Sequence, residues 1–453
     1  MNIIIVGAGK VGYSLAKYLS GEDDNITIID NKDLALERIA NNLDVMCIKG
    51  NCTNFKVLDE AGIREADLLI SVTNSDELNM LSCLAAKKLG VKYTVARVRN
   101  PDYDEDITIL TKAVGIDLVI NPEKETAYEI SRLIKFPSVY SIDSFSKGRV
   151  NLVGFRVNKS SLVDERICDI DFVRGKVLFC GVERNDEVII PNGDFVIRKD
   201  DRVYVIGEEK NIQNFFKYLG KYKKKVRSSM IIGGGKISYY LSKIVSEYGV
   251  NCKIIERNTE KCRELTELLP NSIIINGDGM DQDLLLSESL PEVDSFITLT
   301  SRDEDNLIAA LFAANQNVGN IITKITRDNY AQIADNVGIN SVVNPKFITS
   351  NKIIGYVRGL KNNKKCSIDH IYKICNDHAE AVEFIAGENT KYIDVKLKDI
   401  EFDEDCIVAV IVREDKIIIP TGDDCIKIGD RVIVITKDHT LLDINEIFIG
   451  GCK

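Results

Sequence analysis

The stretch IIIVGAGKVGYSLAKYL (residues 3–19) decides the fold. Four β-branched residues run into Gly7-x-Gly9-x-x-Gly12, and apolar side chains follow at helical spacing. A strand, a tight glycine turn and a helix are the opening of a dinucleotide-binding βαβ unit. In such a unit Gly7 permits the turn, Gly9 leaves the backbone bare for a phosphate, and Gly12 lets the helix approach the strand. Unpaired N–H groups and the helix dipole then attract the phosphate. Asp30 closes the second strand (ITIID), 23 positions after Gly7. A carboxylate there accepts ribose hydroxyls and repels a 2′-phosphate, which favours NAD or an adenosine nucleotide over NADP. The alternative is a tight turn with no ligand.

The same stretch returns as MIIGGGKISYYLSKIV (residues 230–245), with Gly7 and Gly233 226 positions apart. ISVTNSDELNML (70–81) returns as ITLTSRDEDNLI (297–308), and GIDLVINP (115–122) as GINSVVNP (338–345). VIIPNGDFVIRKDDRVYVIG (188–207) is echoed by IIIPTGDDCIKIGDRVIVIT (417–436). Four blocks in one order at nearly one offset indicate a tandem duplication. Two long copies exclude a solenoid, which needs many short ones.

Each copy has two parts. In the first, short apolar strands (2–6, 26–29, 45–48, 68–72, 93–98, 118–120) alternate with amphipathic helices (11–19, 34–41, 54–60, 77–89). That alternation predicts an α/β fold, a doubly wound parallel sheet with helices on both faces. The second part, about 139–219, is strand-rich, with turn signals at Asn192-Gly193 and Lys199-Asp200-Asp201 and a closing helix at 212–219. It reads as a small α+β module. The expected domains are 1–136, 139–220, 228–358 and 366–450. Polar, cationic stretches at 220–229 and 359–366 read as linkers.

Further residues join the two glycine loops. In the second copy Gly233, Gly234 and Gly235 precede Lys236 and Ile237, and Ser238 takes the third glycine's place. Glu256 ends CKIIE at the same 23-residue spacing. Because Ser238 has a Cβ, a degenerate second site is the competing reading. Lys10 and Lys236 suit phosphate neutralisation or plain solvation. Thr73-Asn74 and Thr300-Ser301 follow the fourth strands, where they suit either the ligand crevice or N-capping of the next helix. Arg97 and Arg99 flank Val98 on the expected fifth strand and need a partner, either a phosphate or an acidic residue across an interface. The second copy has Lys324 and Thr326 there.

The chain has 59 Lys plus Arg against 69 Asp plus Glu, a net charge of −10, which argues against nucleic-acid binding. Its longest apolar runs, such as 407–412, fall well short of the ~20 residues that span a bilayer. The opening MNIIIVGAGK lacks the pattern of a secretion signal. Twelve scattered Cys without a CxxC pair read as reduced thiols. His370, His378 and His439 are the only histidines, and with Cys366 and Cys375 they match no standard zinc spacing. No histidine precedes residue 370 to serve as the proton carrier of a dehydrogenase, and no G-x-x-x-x-G-K-[ST] loop occurs. No catalytic residue and no metal site are expected. A soluble NAD-dependent oxidoreductase is the competing class, with Lys or Tyr in place of histidine.

GAGKVG at Gly7, Asp30, VTNSDELNM and ARVRNPDY from Ala96 resemble the Rossmann-type domain of the regulator of potassium conductance (RCK, or KTN) family. The IIPNGDFVIRKDDRVYVIG block resembles that family's C-terminal module. The order N, C, N, C is similar to tandem members that serve as peripheral subunits of Trk potassium-uptake systems. The resemblance implies two Rossmann-like doubly wound domains, each followed by a small α+β RCK C-terminal module. It also implies a homo-oligomeric ring, a tetramer, docked on the cytosolic face of the membrane under a TrkH- or TrkG-type subunit. Binding of NAD(H), or of ATP or ADP, would gate potassium flow. Site residues carried over are Gly7, Ala8, Gly9, Lys10, Val11, Gly12, Asp30, Thr73, Asn74 and Arg97 in the first copy. In the second they are Gly233, Gly234, Gly235, Lys236, Ile237 and Glu256. Members often carry Gly-Asp after the third strand, kept here as Gly277-Asp278 but replaced by Gly50-Asn51 in the first copy. C-terminal modules of some relatives bind cyclic di-AMP, and no residue pattern here decides that point.

Overall fold

The computed structural model describes residues 1–22, 24–103, 107–158, 161–173, 175–185, 187–220, 225–339, 341–361, 368–374, 378–437, 441 and 443–449. Parts of both linkers (221–224 and 362–366) lie outside the described residues, as do Cys366, Cys375 and His439.

The first half opens with β1 (Asn2–Val6), α1 (Lys10–Leu19), β2 (Asn25–Asp30), α2 (Asp33–Ala40), β3 (Met46–Lys49) and α3 (Phe55–Glu60). It continues through β4 (Leu68–Ser71), α4 (Asp76–Lys88), β5 (Tyr93–Arg97), α5 (Ile107–Val114), β6 (Leu118–Ile120) and α6 (Pro122–Lys135). The six strands pair in parallel in the order β3-β2-β1-β4-β5-β6. Strand order reverses between β1 and β4, so a crevice opens there at the strands' carboxyl ends. The module that follows has β7 (Ser141–Phe145), β8 (Val150–Arg156), β9 (Val177–Arg184), β10 (Glu187–Ile189), β11 (Arg202–Glu208) and α7 (Glu209–Tyr218). Its antiparallel sheet runs β10-β9-β11-β8-β7.

The second half repeats the plan. Its Rossmann unit contains β12 (Ser228–Ile232), α8 (Lys236–Ser246), β13 (Asn251–Glu256), α9 (Thr259–Leu268), β14 (Ser272–Asn276) and α10 (Gln282–Ser287). It closes with β15 (Ser295–Thr298), α11 (Asp303–Asn315), β16 (Asn320–Lys324), α12 (Asp328–Asn336), β17 (Ser341–Val343) and α13 (Pro345–Lys361). The sheet order, β14-β13-β12-β15-β16-β17, is that of the first. The last module contains β18 (Ile368–Ile374), β19 (Ala379–Ile385), β20 (Cys406–Arg413), β21 (Lys416–Ile418) and β22 (Arg431–Thr436). They pair as β18-β19-β22-β20-β21. A short 3-10 turn, Ile444–Ile447, follows where the first module has α7.

The helices covering each parallel sheet do not all come from its own half. Asn121 caps α6 by accepting a hydrogen bond from the Lys124 N–H at 3.1 Å, and Pro122 supplies the preset φ of a first helical residue. The helix so launched leaves its own sheet. Ala127, Ile130, Leu133 and Ile134 share a core with Ile237 and Leu241 of α8 and with the second sheet. In return, Ile353, Ile354 and Val357 of α13 pack with Leu15, Ala16 and Leu19 of α1 against the first sheet. Asn121 also donates to the Tyr240 hydroxyl of α8 at 2.9 Å. Fully burying an aliphatic side chain stabilises by about 1.5–3 kcal/mol, so the exchange of two such stripes ties the halves together strongly.

The modules are interlocked as well. Their sheets meet in a shared apolar cluster that includes Phe145, Leu152 and Ile206 from one and Ala381, Val410 and Ile433 from the other. Arg202 of β11 pairs with Asp335 of α12 at 2.5 Å, binding the first module to the second Rossmann unit.

One expectation needs correction. The fifth strand stops at Arg97, short of Val98 and Arg99. The Val98 N–H still reaches the Ile120 carbonyl at 3.0 Å, but the Arg99 and Asn100 N–H groups turn to the Asp76 carboxylate at 2.9 and 2.8 Å. Helices do cover both faces of each sheet, and on one face a helix from the other half joins those of the sheet's own half.

Asp143 on β7 lies near Glu129 and Arg132 of α6; burial first, then Glu129, push its carboxyl up to about 8, against the pull of Arg132. The folded state therefore keeps a proton that the unfolded chain releases near pH 4. Stability from this group is full below pH ~4 and is lost as pH rises toward about 8. Asp143→Asn should raise the thermal midpoint above the parent's at pH 8.5, with the gain disappearing at pH 4. An equal gain at both values would exclude this origin.

Candidate nucleotide sites

Both glycine loops sit at the strand-order reversal. Gly7 has φ +106°, and a Cβ there would stand 3.1 Å from the Thr73 N and 3.2 Å from the Val72 carbonyl carbon. Gly233 repeats this with φ +99° against Leu299 and Thr300, so each turn is pressed onto the backbone after the fourth strand. Gly9 and Gly235, the N-caps of α1 and α8, face open space, with nothing within 4 Å of a built Cβ. Neither cap carries a side chain for the first-turn N–H groups, which remain directed at whatever fills that space.

The third loop position differs between copies. A Cβ on Gly12 would run into the Gly7 carbonyl oxygen. Ser238 answers the same crowding by donating its hydroxyl to the Gly233 carbonyl. Substitution of the third glycine is thus accommodated by a hydrogen bond. The first copy's other irregularity is also absorbed: Asn51 accepts from the Thr53 N–H at 3.0 Å, as Asp278 accepts from the Met280 N–H at 2.9 Å.

The acidic residues close each loop from the second strand. Asp30 accepts from the Ala8 N–H at 2.7 Å and from the Lys32 N–H at 2.9 Å. Glu256 accepts from the Gly234 N–H at 2.8 Å and the Asn258 N–H at 2.8 Å. The longer Glu needs room, and a Cβ on Gly234 would lie 3.1 Å from its Cβ and Cγ. Ala8 with Asp30 and Gly234 with Glu256 are therefore two ways of filling one space.

On the other side of the crevice the organising residues are Asn79 and Asn306, which sequence reasoning passed over. Asn79 is fully buried and accepts from the Thr73 N–H at 2.9 Å and the Thr73 hydroxyl at 2.7 Å. It donates to the Arg97 carbonyl at 2.8 Å. Asn306 bonds the Thr300 N–H (2.9 Å) and the Lys324 carbonyl (2.9 Å) in the same way. Each asparagine fixes the ends of two neighbouring strands at the crevice floor. Asp76 and Asp303 do likewise for the next residues, Asp303 accepting from the Arg327 N–H at 3.0 Å. The signal was in the sequence: both Asn and both Asp recur at the same spacing on the core-facing side of α4 and α11. The capping role considered for Thr73-Asn74 falls to Ser75, which accepts from the Leu78 N–H at 3.1 Å. Thr300 accepts from the Arg302 N–H at 3.2 Å, and no side chain caps α11.

The two crevices face each other. Lys10 in the first loop donates to the Thr326 hydroxyl beyond β16 at 3.4 Å. Asn74 contributes its carbonyl to Arg99 at 2.7 Å, and Arg99 also lies 3.8 Å from Glu123 in the first turn of α6. Arg97 points its Nη1 at the Thr73 carbonyl, 3.5 Å away, and its Nε is buried without a partner among the described residues. Burial, then Arg99, hold its pKa below the usual guanidinium value despite Glu123 and Asp76. Burial likewise lowers Lys324, outweighing Asp303 and Glu123. Lys236 is exposed, while Val11 is half-buried and Ile237 buried behind their loops. Gly7, Ala8 and Asp30 meet at the first crevice with Thr73 and Arg97, Gly233, Gly234 and Glu256 meet at the second, and Glu123 stands beside Arg99.

Two further observations bear on other chemistry. No helix among the described residues is long and apolar enough to cross a membrane. Nor do three or more His, Cys, Asp or Glu among them gather as metal ligands.

Removing Asn79 would strand the Thr73 N–H and the Arg97 carbonyl, at about 1–3 kcal/mol for each buried group. Asn79→Ala should lower the thermal midpoint by several degrees, and Asn306→Ala should do the same in the second unit. A midpoint unchanged in both variants would contradict the clamp.

The TrkA-N domain family matches residues 3–122 and 229–345, and the TrkA-C domain family matches 152–220 and 381–449. A Trk system potassium uptake protein TrkA homolog of Methanosarcina mazei is 32% identical over 461 residues, covering 99% of this chain and 100% of that protein. Trk system potassium uptake protein TrkA of Vibrio alginolyticus is 31% identical over 468 residues, covering 100% and 98%. Among solved structures, the GsuK RCK domain superposes with a TM-score of 0.62 at 16% identity, covering 96% of this chain and 92% of that one. The GsuK channel bound to NAD gives the same score and identity, covering 96% and 76%. At that identity the likeness shows a shared fold.

Proposed function

The chain belongs to the TrkA family of Trk potassium uptake proteins, and on that premise we propose that it senses nucleotide and gates potassium passage through a TrkH- or TrkG-type membrane subunit. It binds NAD(H), and ATP or ADP, without transforming them. The observation that carries this reading is the doubled crevice: a bare glycine at each helix start opposite a loop-anchored carboxylate, with Arg97 and Lys324 half-buried beside it. A phosphate supplies the counter-charge these cations are short of. Contacting residues are Gly7 to Gly12, Asp30, Thr73, Asn74 and Arg97 in the first site, and Gly233 to Ile237 and Glu256 in the second. The fold relative solved with NAD supports the choice of ligand.

Because the crevices face each other, a ligand in either one draws on groups from both halves. A nucleotide shifts the arrangement of the halves only by as much as it prefers one arrangement over another. Contacts spanning Lys10, Arg97 and Lys324 provide such a preference. The chains assemble as a tetrameric ring held at the cytosolic face of the membrane by the potassium-translocating partner.

Calorimetry with NADH tests the site: Asp30→Ala should weaken binding at the first site about tenfold or more, the size of a hydrogen bond to a charged group. Equal affinity would refute the assignment. In vesicles carrying the TrkH-type subunit of the same genome, potassium flux should change on adding nucleotide only when this chain is present. Flux indifferent to the nucleotide would point to another client.

A further inference from the structure

The two glycine-loop helices end on different chemistry. At the far end of α1 from the glycine loop, the Tyr18 hydroxyl donates to Glu380 of β19 at 2.9 Å. Arg358 of α13, fully buried, donates through Nη1 to Glu380 at 2.6 Å and through Nε to Glu22 at 2.6 Å, and also contacts the Tyr18 hydroxyl. Lys361 pairs with Glu22 at 2.9 Å and with Asp24 at 2.6 Å. Glu380 is itself fully buried. The network joins three parts of the chain: the first glycine-loop helix, the helix borrowed from the second unit, and the second module.

At the corresponding places of the other half stand Ile244, Tyr248, Lys135 and Asn151. Lys135 sits over the Tyr248 ring at 3.7 Å, and Asn151 accepts from Ser144 of its own module at 2.7 Å. The buried charge that commits Tyr18 and Arg358 to a module strand thus has a neutral counterpart in Asn151. A buried, charge-assisted network is directional and stiff, because breaking one member leaves another charge unpaired. A cation over a ring at the surface tolerates sliding.

We propose that the first nucleotide site, and not the second, is coupled to the second C-terminal module through Tyr18, Arg358 and Glu380. This rests on the nucleotide reading of the loops above. α1 is ten residues long, about 15 Å, and acts as one rod. Its N-terminus forms the glycine loop, and its last turn carries Tyr18. A displacement of the loop by phosphate therefore arrives at Glu380 and the strand that bears it. Beyond the end of the second site's helix, α8, the counterpart contact is Tyr248 with Lys135, and it reaches no strand of the second module.

Hydrogen–deuterium exchange on the full chain, with NADH and separately with ATP, tests the coupling. In the parent, nucleotide should change exchange in β19 at least about threefold. Asp30→Ala should abolish that response and Glu256→Ala should leave it. Tyr18→Phe and Glu380→Gln keep the side-chain shapes; each should still bind nucleotide by calorimetry, yet lose the β19 response. Binding with no change in β19, a full response in both Tyr18→Phe and Glu380→Gln, or a response lost in Glu256→Ala instead of Asp30→Ala would each overturn the proposal. No heat of binding in the parent would overturn the nucleotide reading itself, and this proposal with it.

Discussion

A parallel sheet built from βαβ units must cover both its faces, and in this protein each of the two sheets meets that demand with a helix from the other half. The strands are apolar on both sides: Ile3, Ile4, Ile5 and Val6 are all buried, as are Met230, Ile231 and Ile232. α13 joins α1 and α2 over the face of the first sheet formed by Ile3, Ile5, Ile28 and Ile70. α6 joins α8 and α9 over one face of the second sheet in the same way. Everything else follows from this exchange. It brings the crevices mouth to mouth and delivers Glu123 beside Arg99. It also carries Arg358 to the end of α1.

Within that frame the two nucleotide crevices are variations on one design. What is kept between them is the backbone's hydrogen bonding: the carboxylate on the loop amide, the asparagine across two strand ends, and the aspartate on the following amides. What varies is how space is filled, with Ala8 and Asp30 exchanged for Gly234 and Glu256, and Gly12 for Ser238. Loop geometry survives because each change is matched by a neighbour. Charge is less constrained, and here the copies part: Arg97 becomes Lys324, and Arg99 becomes Thr326.

The duplication, the strand–helix alternation and the loop residues were legible in the sequence because each leaves a local signature. Gly7 needs a positive φ and Asp30 closes its strand, whereas the helix that Asn121-Pro122 launches was not among those expected. The destination of that helix was not legible. Nothing local in Ile130 and Leu133 distinguishes a stripe covering its own sheet from one covering a neighbour's. Asn79 was missed for a related reason. A buried amide on a helix looks like a polar residue out of place until the strand ends it bridges are seen. The end of β5 was placed one residue too far, at Val98, because Val98 is buried and apolar like a strand residue, while the amides beyond it belong to Asp76.

The interlocking has a consequence for how such a protein diverges. Two separate chains exchanging helices would be identical, so any substitution would appear twice, once in each crevice and once on each side of the axis. A single chain that contains both partners is released from that symmetry. Arg358 with Glu380 on one side and Lys135 with Asn151 on the other is an arrangement that no pair of identical subunits could hold. Fusion of the two halves therefore does more than raise their local concentration. It lets one of two related positions keep an inherited task while the other drifts toward a different one.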